Sequence, residues 1–237
     1  MKGRFSKIHG LMVAALIATP MTFAKGFDVR TLTQLDSIHS SAVSPDGASL
    51  VYGLKTIDGK STLSNLFLKR LNQQQSDVQL TNHASTEHSV VWSHDNSSIY
   101  FISSRSGSPQ VWNLPLTGGE AKQVTNLPLT VEGFKIASDS SKIVLSMSVF
   151  NECESLRCSA DKFAAQKATP NAGKVYNQLM VRHWDTWKDG SYKHLFVANL
   201  GDKVITQVTD ITQGLATDTP AKPFSGMEEV TFTPDNI

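Results

Sequence analysis

The chain has 237 residues, 40% of them hydrophobic and 18% charged, with 22 Lys and Arg against 21 Asp and Glu. That hydrophobic content is enough for a packed core, which excludes wholesale disorder, and the near-zero charge balance argues against a nucleic-acid binder. Two cysteines exclude a disulfide-dense scaffold and a four-cysteine zinc site.

At the N-terminus, Lys2, Arg4 and Lys7 form a basic stretch ahead of the apolar run Leu11 to Ala18, which leads to a small-residue exit at Thr22-Phe23-Ala24. This is the layout of a secretory leader over residues 1–24, and the run is shorter than the roughly 20 residues a spanning helix needs. The expectation is an exported, periplasmic or secreted protein with no stable membrane anchor. Its net charge falls from +1 to −2 once the three leader cations are removed. An exported compartment permits disulfides, so Cys153 and Cys158, five apart, read as a local staple, with two free thiols as the alternative.

Beyond the leader a unit of about 45 residues recurs. It opens on a Ser/Thr-x-Asp turn: SPDG (Ser44 to Gly47), SHDN (Ser93 to Asn96), SDSS (Ser138 to Ser141) and TPDN (Thr233 to Asn236). It continues through strands such as LFLKRL (Leu66 to Leu71), VWNLPL (Val111 to Leu116) and LFVANL (Leu195 to Leu200). It closes on QLT (Gln79 to Thr81), QVT (Gln123 to Thr125) and QVT (Gln207 to Thr209). Asp, Asn and Gly suit such turns because they tolerate the positive φ that a tight hairpin needs. In SVVWSHDNSSIYFISS, alternation places Val91, Ile99 and Phe101 on faces that stacked units would bury. The third unit is longer by one segment, Asn151 to Val175, which is rich in Ala, Lys and Gln, holds both cysteines, and is expected to be partly helical around Ala160 to Ala168.

Units of this length with four short strands read as β-propeller blades. The fold expected is all-β: a partial propeller of about three four-stranded blades over residues 40–83, 88–128 and 131–212, with a fourth beginning at 227–237 and an insertion in the third. Propellers close with about four to eight blades, so residues 25–237 read as the incomplete N-terminal piece of something larger.

SSRSGSPQVWNLPLTGGEAKQVTNLP (Ser103 to Pro128) resembles a blade of the N-terminal propeller of prolyl oligopeptidase-family serine peptidases, in the bacterial acylaminoacyl peptidase and dipeptidyl aminopeptidase branch. MVRHWDTWKDGSYKHLFV (Met180 to Val197) is similar to that branch in particular, through Trp184, Asp185, Trp187 and Gly190, and MEEVTFTPD (Met227 to Asp235) fits as the approach to a further blade. TolB-type periplasmic propellers share the SPDG turns. The resemblance implies a propeller that caps a C-terminal α/β-hydrolase domain and admits short peptide substrates, with no cofactor. No Gly-x-Ser-x-Gly occurs in the 237 residues, so no catalytic residue is assigned in this chain and the hydrolase domain lies outside it. The alternative is a non-enzymatic TolB-like propeller that binds a protein partner.

The candidate substrate-binding residues are Glu228 and Glu229, whose carboxylates suit a substrate ammonium, with Arg182, Trp184, Asp185 and Trp187 as a possible cavity lining. Each competes with a structural role in its blade. Arg105 reads either as a ligand for a substrate carboxylate or as a polar turn tip. His83, His88 and His94 are spaced loosely like metal ligands but lack a convergent setting, and no metal site is expected. The recurrent Asp46, Asp95, Asp139 and Asp235 read as turn-bonding groups, and Gly118-Gly119 as a blade turn.

Overall fold

The structure is a computed structural model, and it describes residues 26, 28–58, 61–168, 173, 176, 179, 181–222 and 224–235. The leader expected at 1–24 lies outside the described residues, as does Asn236 of the last turn. The chain divides into a short unit ending at Thr33 and a main unit from Gln34. The first contains helix α1 (Val29–Thr33), whose Thr31 N–H and hydroxyl both donate to Asp28 Oδ1.

The main unit holds three four-stranded antiparallel sheets, each wound in chain order. The first comprises β1 (Ser37–Val43), β2 (Ser49–Asp58), β3 (Ser61–Arg70) and β4 (Val78–Gln79); the second β5 (Glu87–Trp92), β6 (Ser98–Ser103), β7 (Gln110–Pro115) and β8 (Lys122–Gln123). The third begins with β9 (Gly133–Ile136) and β10 (Lys142–Val149). It then makes an excursion through helix α2 (Leu156–Ala168) and the hairpin β11 (Arg182–His183) and β12 (Thr186–Trp187), and finishes with β13 (Tyr192–Asn199) and β14 (Thr209–Asp210). Helix α2 begins four residues before the Ala160 expected from composition. The first strands of neighbouring sheets, β1 with β5 and β5 with β9, lie against each other.

The recurrent aspartate sets each β-turn. Asp46 Oδ1 accepts from the Ser44 hydroxyl at 2.5 Å and the Ala48 N–H at 2.9 Å; Asp95 repeats this with the Ser93 hydroxyl at 2.6 Å and the Ser97 N–H at 3.0 Å. The chain then turns through positive φ at Gly47 (69°) and Asn96 (59°). The third turn keeps its aspartate but sits one residue earlier than Ser138 to Ser141. Positive φ falls at Ser140, whose N–H donates to Ala137 O, as Gly47 donates to Ser44 O and Asn96 to Ser93 O. Ala137 therefore stands where the other turns have serine, and its missing hydroxyl displaces the frame read from sequence.

The closing threonine has a defined task. Thr81 Oγ1 accepts the Leu66 N–H at 2.8 Å and Thr125 Oγ1 the Val111 N–H at 2.9 Å, each satisfying a buried donor of the third strand. In the third sheet the Leu195 N–H is taken by Thr212 at 3.0 Å. The closing tripeptide there is Asp210-Ile211-Thr212, three residues beyond the expected Gln207 to Thr209.

Both faces of the second sheet are buried. Ile99 and Phe101 pack with Val51, Leu66, Leu68, Val90 and Trp92 in one seam, while Ile102 and Val111 pack with Phe134, Ile143, Leu145, Met147 and Phe196 in the other. Val91 is only partly buried, against the second seam. A fully buried Ile or Phe contributes about 1.5–3 kcal/mol relative to an exposed one, so β6 anchors both seams. Trp92 Nε1 donates to Ala42 O at 2.9 Å across the first seam, and the Ile205 and Asn126 backbones bond across the second. Met227 to Asp235 forms no strand: it starts as a 3-10 turn, Met227–Glu229, and continues as irregular chain.

Candidate functional site

The starts of β5 and β9 and the ends of β6 and β10 lie at one end of their sheets, as the antiparallel register requires. At this end the third sheet carries its excursion. The chain leaves β10, turns through Asn151 and Glu152, and enters α2, with Cys153 and Cys158 joined by a disulfide across the turn. Phe163 packs on Phe150 with ring centroids 4.8 Å apart, and buried Ser159 accepts the Phe150 N–H at 3.1 Å.

A cleft of about 390 Å³ opens between α2 and the sheet, lined by Leu129, Glu132, Ser148, Phe163, Asp189 and Lys222 among others. Its charges form a connected chain. The Ser148 hydroxyl donates to Glu132 Oε1 at 2.5 Å, Lys193 Nζ lies 3.4 Å from Glu132 Oε2, and Lys222 Nζ donates to Ser148 Oγ at 3.2 Å. Lys222 also pairs with Asp218, which accepts from Lys188 Nζ at 2.9 Å and the Lys193 N–H at 2.8 Å. Burial raises the Asp218 carboxyl, but the bonds from Lys188 and Lys193 and the Lys222 charge outweigh it and hold the group below its ordinary range. Glu132, Ser148, Lys193, Asp218 and Lys222 escaped sequence reasoning because no fixed spacing joins them; antiparallel pairing of β9, β10 and β13 brings the first three together, and the segment after β14 adds Asp218 and Lys222.

The expected site residues fall into two groups. Arg182 pairs with Trp187 across the hairpin, its guanidinium 5.3 Å from the indole ring, and Tyr176 stacks on the same ring at 6.0 Å. Trp184 sits at the hairpin tip with φ of 53°, 72% exposed, its ring edge-on to Phe224 at 6.1 Å. Asp185 is exposed beside it and accepts from Thr186 Oγ1 at 3.3 Å. Glu228 and Glu229 lie on the 3-10 turn. Glu228 Oε1 accepts its own Gly226 N–H at 2.8 Å, while Glu229 lines a separate cavity of about 550 Å³ with Val144, Leu195, Val197 and Phe232. Met227 seats this turn against Gly133, where a Cβ would come within 2.6 Å of Met227 Cγ. Among the described residues, no hydrogen bond or ion pair links these glutamates to the hairpin.

Arg105 is committed elsewhere. It pairs with Glu87, which is fully buried, and lies over the rings of Phe101 and Trp112 at 5.4 and 5.0 Å. Burial raises the Glu87 carboxyl, and Arg105 partly offsets that. His83, His88 and His94 do not converge: His83 Nδ1 accepts the Ser85 N–H and His88 Nδ1 meets Ser89 Oγ. Among the described residues, no cluster of three His, Cys, Asp or Glu is arranged to hold a metal. The buried His194 contacts Asp210 through Nδ1 at 2.7 Å, but its Nε2 meets the Leu215 carbonyl at 2.9 Å, so neither nitrogen is open as a catalytic base.

Dipeptidyl-peptidase 5 of Porphyromonas gingivalis is 30% identical to the chain over 237 residues, covering 97% of the chain and 34% of that protein. Dipeptidyl-peptidase 5 of Porphyromonas endodontalis is 27% identical over 248 residues, with 96% and 34% covered. The chain thus spans about a third of the length of these curated relatives. Among solved structures, the acylaminoacyl peptidase of Pyrococcus horikoshii matches with a TM-score of 0.55 at 12% identity, over 78% of this chain and 26% of that one, which is a likeness of fold. The family model of the TolB β-propeller domain matches residues 29–169, taking in the first two sheets, the start of the third and α2. The chain belongs to the TolB β-propeller domain family.

Proposed function

We propose that this chain is the substrate-gating propeller of an exported serine exopeptidase that releases dipeptides, or acylated amino acids, from short peptides. The observation that carries this reading is the similarity to two dipeptidyl peptidases over nearly the whole chain, an extent that takes in the excursion of the third sheet as well as the repeats. In this reading the catalytic Ser, Asp and His belong to an α/β-hydrolase domain outside the chain. Acyl transfer to the serine and hydrolysis follow there. The propeller's part is exclusion and orientation. Stacked sheets with both seams apolar make a stiff wall, and the polar cleft under α2, with the aromatic hairpin beside it, offers charged and aromatic groups to a peptide. Export rests on the basic and apolar pattern of residues 1–24; no helix of the described residues is long and apolar enough to cross a membrane.

The test is size selectivity of the complete protein. Dipeptides are expected to be released from short peptides much faster than from folded proteins bearing the same N-terminal residues. Equal rates on both would remove the gating role. The TolB-domain match supports a second reading, a non-enzymatic propeller that binds a protein partner. An activity-based fluorophosphonate probe separates the two, since it labels an activated serine and ignores a binding module.

A further inference from the structure

Helix α2 is held largely by side-chain ties along its flanks. Its sequence LRCSADKFAAQKA is mostly polar, and only Ser159 is fully buried. An isolated helix of this length is marginal in water. Its anchors include the Ser159 bond to the Phe150 N–H, Phe163 on Phe150, the partly buried Leu156 and Ala160, the Lys162–Glu152 pair, and the Gln166 amide on Asp189 O at 3.1 Å. To these the Cys153–Cys158 bond adds a covalent link between the turn leaving β10 and the first turn of the helix. Both cysteines are partly exposed.

The helix stands between two openings. Ala160 and Phe163 line the 390 Å³ cleft, while Cys153, Ser155 and Leu156 line another of about 610 Å³ against β13 and β14. Neither β10 nor β13 depends on the bridge, since their eight-residue pairing and the buried Leu145, Met147 and Phe196 hold the sheet by themselves.

We infer that the Cys153–Cys158 bond is a redox-operated clamp on α2, whose reduction frees the wall shared by the two clefts without unfolding the sheets. The chemistry is thiol–disulfide exchange with an external dithiol. A thiolate of the reductant attacks one cysteine sulfur, breaking the bond and leaving a mixed disulfide. The reductant's second thiol then displaces that sulfur. Two electrons pass to the protein, two protons end on Cys153 and Cys158, and the dithiol leaves as its own disulfide. The loop then loses its closure, and α2 is held by its non-covalent ties alone.

Hydrogen exchange read by mass spectrometry on the full chain, with and without dithiothreitol, tests this. Reduction is expected to speed exchange of the 156–168 amides by about tenfold or more while β9, β10 and β13 keep their protection. The C153S/C158S double variant is expected to show the fast helix without reductant and to ignore dithiothreitol. Unchanged helix protection after both thiols become alkylatable would overturn the clamp. So would loss of protection across helix and sheets together, which would make the bridge a staple of the whole fold. A bond that resists the dithiol in the folded chain would also overturn it. If the double variant does not fold, reduction of the prefolded chain gives the answer alone.

Discussion

Arg105 and Glu87 form the ion pair at the start of the second sheet, where a fully buried carboxylate, also bonded by Thr81, meets a guanidinium lying over Phe101 and Trp112. Removing the cation leaves the charge stranded, so Arg105→Ala should cost about 3–5 kcal/mol near neutral pH. Glu87 is raised in the folded state, so its contribution is fully present below the ordinary value of 4.5 and is lost as pH rises through the folded value. Without Arg105 the deficit should therefore widen between pH 4 and pH 7 in chemical denaturation, and Glu87→Gln in the same background should recover part of it. A deficit independent of pH would contradict the pairing. Asp95 behaves oppositely: the Ser93 hydroxyl and the Ser97 N–H and hydroxyl hold it down to about 2. Its contribution is present above 3.8 and is lost as pH falls toward about 2. An NMR titration should place the Asp95 midpoint near 2, and Ser93→Ala should move it up toward 3.8. The turn aspartates were legible from recurrence, whereas the Glu87–Arg105 pair was not. Eighteen residues separate its members, and SSRSG reads as a turn wherever its arginine folds back.

At the scale of the element, each sheet repeats one device, an aspartate-pinned turn followed by a threonine that receives the backbone of the third strand. The first two sheets displayed both parts to sequence reading. The third hid its frame, because Ala137 replaces the turn serine and because QVT at Gln207 to Thr209 imitates the closing tripeptide three residues before Thr212 performs its role. Thr212→Val should therefore cost about 1–2 kcal/mol by leaving the Leu195 N–H without its acceptor, while Thr209→Val, at an exposed position, should cost almost nothing. Thermal unfolding of the two variants checks this, and equal losses would return the closing role to Thr209. The candidate site was legible in part for the same reason. The hairpin residues Arg182, Trp184, Asp185 and Trp187 are sequence neighbours and stand out by composition. The Glu132–Ser148–Lys193 group exists only once β9, β10 and β13 are paired, and Asp218 and Lys222 join it from the segment after β14.

For the whole molecule, two apolar seams bind three sheets, with the second sheet buried on both sides between them. The 45-residue period made this architecture readable, because a repeated unit that cannot bury its own faces has to stack. This propeller is proposed to belong to a dipeptide-releasing serine peptidase. The most direct test treats extracts of the source cells with a fluorophosphonate probe and captures the product with antibodies raised against residues 34–235. The captured protein is expected to carry the probe and to lose its release of dipeptides in proportion to labelling. A captured protein that stays unlabelled, with no such activity to lose, would contradict it and leave a propeller that binds without catalysis.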